Sequence, residues 1–133
     1  MLDPFARRVA RMSFCLSIMP FTEFEDATVR TAMGAFIERR RPEPSIRAEV
    51  DLAYRIEGLS VLIHEIRPSY QDPKVMSEPM VAKATYVRTK NEWKVLWQRA
   101  DLKWHGYEPQ STVKHIDAFT KRVDEDAYAC FWG

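Results

Sequence analysis

Val50, Asp51, Leu52, Ala53, Tyr54, Arg55, Ile56, Glu57 and Gly58 form the stretch on which the fold turns. Val50, Leu52, Tyr54 and Ile56 take every second position, with Asp51, Ala53, Arg55 and Glu57 between them. A period of two sends alternate side chains to opposite faces of an extended chain, so the spacing predicts a strand with one face in a core and one in water. Glu57-Gly58 punctuates the pattern, and Val61 and Ile63 resume it until Pro68. Residues from about 48 to 67 are therefore expected to form a hairpin.

The same period returns further on. After a loop holding Pro68, Pro73 and Pro79, the run Val81 to Arg88 predicts a third strand, Lys90-Asn91 a short turn, and Trp93, Val95 and Trp97 the buried face of a fourth. Upstream the period is helical. Thr22 can accept a hydrogen bond from a first-turn amide while Glu25, three positions on, reaches back, which is a capping box. Val29, Met33, Phe36 and Ile37 then form one apolar stripe, closed by Arg39, Arg40 and Arg41 before Pro42. Cations in a last turn complement the helix dipole, a structural reason for three arginines that competes with a polyanion-binding one. Near the other end, Ser111 or Thr112 is expected to cap a helix with Val113, Ile116, Phe119 and Val123 on its apolar side. Its acidic end, Asp124, Glu125 and Asp126, opposes the dipole and has no explanation in the sequence.

The order helix, hairpin, hairpin, helix predicts an α+β fold: a four-stranded antiparallel sheet of two hairpins, flanked by an N-terminal and a C-terminal helix. With 133 residues, 46% of them hydrophobic, the chain suits one core. The expected division is a single α+β domain over residues 22–133 and an N-terminal extension over 1–21. In that extension Arg7, Arg8 and Arg11 precede an apolar run, but Ser13, Cys15, Ser17 and Pro20 interrupt it and no small-residue cleavage site follows. It reads as an amphipathic extension or as residues upstream of a start at Met19, and nothing approaches the length of a membrane span. Twenty Lys and Arg against 19 Asp and Glu give a net charge of +1, so no global field draws the protein to nucleic acid or an anionic membrane, and any binding patch is local. The two cysteines, Cys15 and Cys130, are too few for a disulfide framework and wrongly spaced for zinc, which fits a cytoplasmic setting. No cofactor and no metal is expected.

The densest chemistry lies between Arg99 and Pro109. Lys83, Arg88, Lys90, Lys94, Arg99 and Lys103 interleave with Tyr86, Trp93, Trp97, Trp104 and Tyr107 across the second hairpin and its exit. Bases stack on exposed aromatics while cations follow phosphates, so the mixture points to nucleic acid as a partner. Period 2 assigns Trp93 and Trp97 to the core, leaving Tyr86, Trp104 and Tyr107 as candidate platforms; the binding candidates are Arg99, Lys103, Trp104, Tyr107, Arg88 and Lys90. A second reading is a small enzyme in which His105 works as an acid or base with Asp101 or Glu108, set against a histidine merely hydrogen-bonded at a turn. Arg99 paired with Asp101, with Trp104 plugging the space beneath, is the structural alternative for the same stretch. A metal-dependent nuclease site using Asp51 and Glu65-Ile66-Arg67 is disfavoured, because Arg67 cannot serve as a base and the two carboxylates should face opposite sides of the hairpin. A third reading is a protein-interaction module that exposes Phe131 and Trp132.

The runs Asp51 to Gly58, Val81 to Arg88, Trp93 to Val95, Arg99 to His105 and the ending Val123 to Gly133 resemble the bacterial family catalogued as domain of unknown function 3024. The resemblance covers residues 22–133. It implies a compact cytoplasmic protein and carries over no activity, cofactor or catalytic residue.

Overall fold

The computed structural model describes residues 20–126 and 130–132. The reading of the N-terminal extension therefore lies outside the described residues, apart from Pro20 and Phe21.

Helix α1 spans Glu23–Arg40 and starts as its capping box requires: the Glu25 amide donates to Thr22 Oγ1 at 3.1 Å and the Thr22 amide donates to Glu25 Oε1 at 2.9 Å. It buries Val29, Met33, Phe36 and Ile37, the apolar stripe of the sequence. Pro42 cannot continue the hydrogen-bond ladder, and the chain turns there through an extended Arg41.

Strands β1 (Asp51–Glu57), β2 (Ser60–Pro68), β3 (Met76–Ser77), β4 (Met80–Val87), β5 (Glu92–Gln98), β6 (Trp104–Gly106) and β7 (Thr112–Val113) form an antiparallel sheet of order β1-β2-β4-β5-β6, with β3 on β2 and β7 on β5. The four long strands are those of the two expected hairpins. The sheet has seven strands rather than four, because β3, β6 and β7 are only two or three residues long, too short to show a period. β6 and β7 share one edge of β5: Leu96, Trp97 and Gln98 pair with Gly106, His105 and Trp104, whereas Trp93 and Lys94 pair with Val113 and Thr112. Between them the Tyr107 amide donates to the Val95 carbonyl and the Val95 amide to the Ser111 carbonyl, so the edge stays paired across the gap.

Helix α2 spans Ile116–Glu125, later than expected. Thr112 belongs to β7, and the N-cap is His115, whose side chain makes no capping bond. Ser111 and Thr112 are consumed by the β5 edge, and Val113 enters the core from a strand. Phe36, Met33, Phe119, Val123, Ile63, Val61 and Val95 are fully buried between the helices and one face of the sheet. At roughly 1.5–3 kcal/mol for each buried aliphatic or aromatic side chain, this layer is the main source of stability.

The three arginines that end α1 are spent on structure. Arg39 and Arg40 both reach Asp124 of α2, at 2.8 and 3.2 Å, and Arg41 grips Asp51 with two bonds of 2.8 Å. This accounts for the acidic end of α2. Asp124 receives α1, Glu125 pairs with Arg122, and the Asp126 carboxylate accepts the amides of Phe131 and Trp132 at 3.0 Å. Phe131 is buried against Tyr107, and the Trp132 indole donates to the Val123 carbonyl beneath the Arg40 guanidinium. The expected apolar patch at Phe131 and Trp132 is thus folded inward, because Asp126 turns the chain back onto the core.

Candidate functional site

Ala82, Ala84, Trp93 and Val95 are buried, which fixes the parity of β4 and β5. Lys83 and Thr85 on β4, and Lys94, Leu96 and Gln98 on β5, point to the face away from the helices. The register sets Lys83 beside Leu96, Thr85 beside Lys94, and Gln98 beside Trp104 of β6. Trp104 is half-buried, and the Lys83 ammonium lies 5.7 Å from its ring centre. This outer face carries one tryptophan and two lysines around the apolar Leu62 and Leu96. Towards β1 it ends where Arg55 reaches Glu78, 3.2 Å away, in the connection before β4.

The turn from β5 to β6 is closed by the Arg99 amide donating to the Lys103 carbonyl and by the Leu102 amide donating to the Arg99 carbonyl. Leu102 sits at φ 62°, a left-handed conformation unusual for a leucine. Asp101 organises the turn. Its carboxylate accepts the Lys103 amide at 2.9 Å and meets His105 Nε2 at 2.9 Å, and these bonds hold its pKa below the usual carboxylate value. Asp101 therefore stays ionised and orients the His105 ring through Nε2.

Across this turn from Trp104, on the inner side of the sheet, is a cleft of about 360 Å³ lined by Trp97, Arg99, His105, Glu108, Pro109 and Cys130. The Arg99 guanidinium lies 5.5 Å from the Trp97 ring centre. Burial pushes the Cys130 thiol up, with the Asp126 carboxylate adding to it, so Cys130 is held as a thiol and is a poor nucleophile. The cleft joins an oriented imidazole to charged groups of both signs.

The structure thus brings His105 and Asp101 together and places Glu108 in the same cleft. Arg99 stacks on Trp97 and does not pair with Asp101, and Trp104 lies on the outer face rather than plugging the turn. Lys103 is exposed in the turn, and Lys90 in the connection between β4 and β5. Two binding candidates are corrected. Tyr107 is 2% exposed and packs on Phe131, so it offers no stacking platform. Arg88 donates to Glu25 at 2.8 Å and to the Pro20 carbonyl at 3.0 Å, which makes it a clamp on the start of α1. Asp51 is taken by Arg41 and Glu65 by Arg67, and no group of metal-ligating side chains occurs among the described residues. Sequence reasoning missed Cys130 as a cleft residue; only the return of the chain at Asp126 brings it there.

The family model described as domain of unknown function (DUF3024) matches residues 21–133. The chain belongs to this family. No curated protein and no solved structure matches this DUF3024 chain. The matched span begins at the residue before the Thr22 cap, so it takes in α1, the whole sheet and α2. Among the described residues of the DUF3024 chain, no helix is long and apolar enough to cross a membrane.

Proposed function

We propose that this DUF3024 chain is a binding module for single-stranded nucleic acid, held on the outer face of β4, β5 and β6. The carrying observation is a charge imbalance. Around α1, β1 and β2 every described arginine except Arg47 meets a carboxylate, and Arg47 donates to the Pro42 carbonyl. Across residues 80–106, Lys83, Arg88, Lys90, Lys94, Arg99 and Lys103 face only Glu92 and Asp101. Glu92 is engaged by Lys114, Asp101 by His105, and Arg88 by Glu25. Lys83, Lys90, Lys94 and Lys103 have no carboxylate within 4 Å among the described residues. Net charge near zero thus conceals a local cationic strip, and Trp104 supplies a surface on which a base can stack. Phosphates along Lys94, Lys83 and Lys103 with one base on Trp104 is the arrangement this favours.

Fluorescence anisotropy with labelled 12-nucleotide RNA and DNA strands tests it. Three phosphate contacts give a log–log salt slope of about −2, so affinity should fall about 100-fold between about 50 and 500 mM salt. Lys83→Ala and Lys94→Ala should each reduce that slope, and Trp104→Ala should weaken binding by about 1–3 kcal/mol. No binding at low salt, or binding indifferent to all three changes, rejects the reading.

A further inference from the structure

The cleft on the inner side of the β5–β6 turn holds opposite charges that leave each other unpaired. The Arg99 guanidinium makes no hydrogen bond, and no ion pair within 4 Å, with any described residue and acts on ionised Asp101 only at longer range, although the arginines around α1, β1 and β2 are nearly all neutralised. The Glu108 carboxylate likewise has no partner among the described residues. Both line the same cleft of about 360 Å³, a volume within the range of small-ligand sites, and yet they form no pair within 4 Å. Trp97 and Pro109 give the space between them apolar walls. His105, hydrogen-bonded to Asp101 at 2.9 Å, forms a further wall of the cleft.

We propose that this cleft binds a small zwitterion, with the anionic group on Arg99 and the ammonium on Glu108. A guanidinium presents paired donors that match a carboxylate, and an acid at the far end accepts an ammonium. A ligand with one charge engages only one of the two cleft charges, whereas a two-ended molecule engages both, which favours the zwitterion. The compound class is an amino acid or another short aliphatic carrying a carboxylate and an amine. The inference is independent of the nucleic-acid reading, because Arg99 follows the inward parity of Trp93, Val95 and Trp97, whereas Lys83, Lys94 and Trp104 face outward.

Isothermal titration of the full chain with glycine, β-alanine and 4-aminobutyrate, alongside acetate and ethylamine, tests it. These three zwitterions separate their charges by increasing distances. One of them should saturate a single site with Kd at or below about 10 mM, and acetate and ethylamine should bind at least about tenfold more weakly. Arg99→Gln and Glu108→Gln should each weaken that zwitterion about tenfold, while Lys83→Ala and Lys94→Ala leave it unchanged. Both cleft side chains are exposed, and circular dichroism checks that the variants fold. Absence of saturation by all three zwitterions, equal binding of acetate, or unchanged affinity in both glutamine variants overturns the proposal.

Discussion

Asp126 shows how much one side chain can decide. It ends α2 at φ 39°, a left-handed conformation that aspartate tolerates better than most residues. From there its carboxylate accepts two amides, so the chain reverses and delivers Phe131 to Tyr107 and the Trp132 indole to the Val123 carbonyl. Asp126→Gly should lose both hydrogen bonds while easing the backbone. Asp126→Ala should lose the bonds and also hold a Cβ in the disfavoured region, costing about 1 kcal/mol more. Urea midpoints should fall in the order wild type, Gly, Ala; an alanine variant as stable as wild type would show that the reversal does not depend on Asp126.

At the scale of elements, legibility followed length and periodicity. Helix α1 was readable to the residue, because its cap, stripe and proline stop are all local chemistry. Thr22→Ala removes the side-chain acceptor of the Glu25 amide and should cost about 1 kcal/mol in chemical unfolding, with Thr22→Ser close to wild type. The four long strands were equally readable, since alternation over seven to nine residues has few competing explanations. β6 and β7 were not. Two or three residues carry no period, and Ser111-Thr112, a good cap in isolation, was claimed by the unpaired groups of β5. The site was legible in the same proportion. His105 and Asp101 are four residues apart and meet across one tight turn, but the burial of Tyr107 and the capture of Arg88 by Glu25 depend on partners distant in sequence.

Across the whole molecule, ion pairs join elements that the hydrophobic layer already brings together, and this sets a direction for acid stability. The Arg88 guanidinium holds the Glu25 carboxyl below its ordinary value, Arg41 does the same for Asp51, and the Lys103 amide and then His105 do so for Asp101. Each group is more acidic folded than unfolded. Its contribution is therefore complete above the ordinary carboxylate range, about pH 4, and is lost as pH falls below it. Asp51→Asn removes one such group, so its stability should decline less steeply than that of wild type between about pH 5 and pH 2, although it starts lower. Urea denaturation across that interval measures the difference, and parallel curves would show that the Arg41 pair contributes nothing.

The shared edge of β5 has a consequence for how the chain is made. Its partners on that side are residues 104–106 and 112–113, so β5 can pair with β4 well before its other edge is covered. During synthesis that strand presents a row of open amides and carbonyls, with Trp93, Val95 and Trp97 on one face, until residue 113 has emerged. Lys94 on that strand and Lys83 on the neighbouring β4 carry like charges that repel other nascent chains. A chain released before residue 104 lacks this cover and is the fragment most prone to join with its own copies.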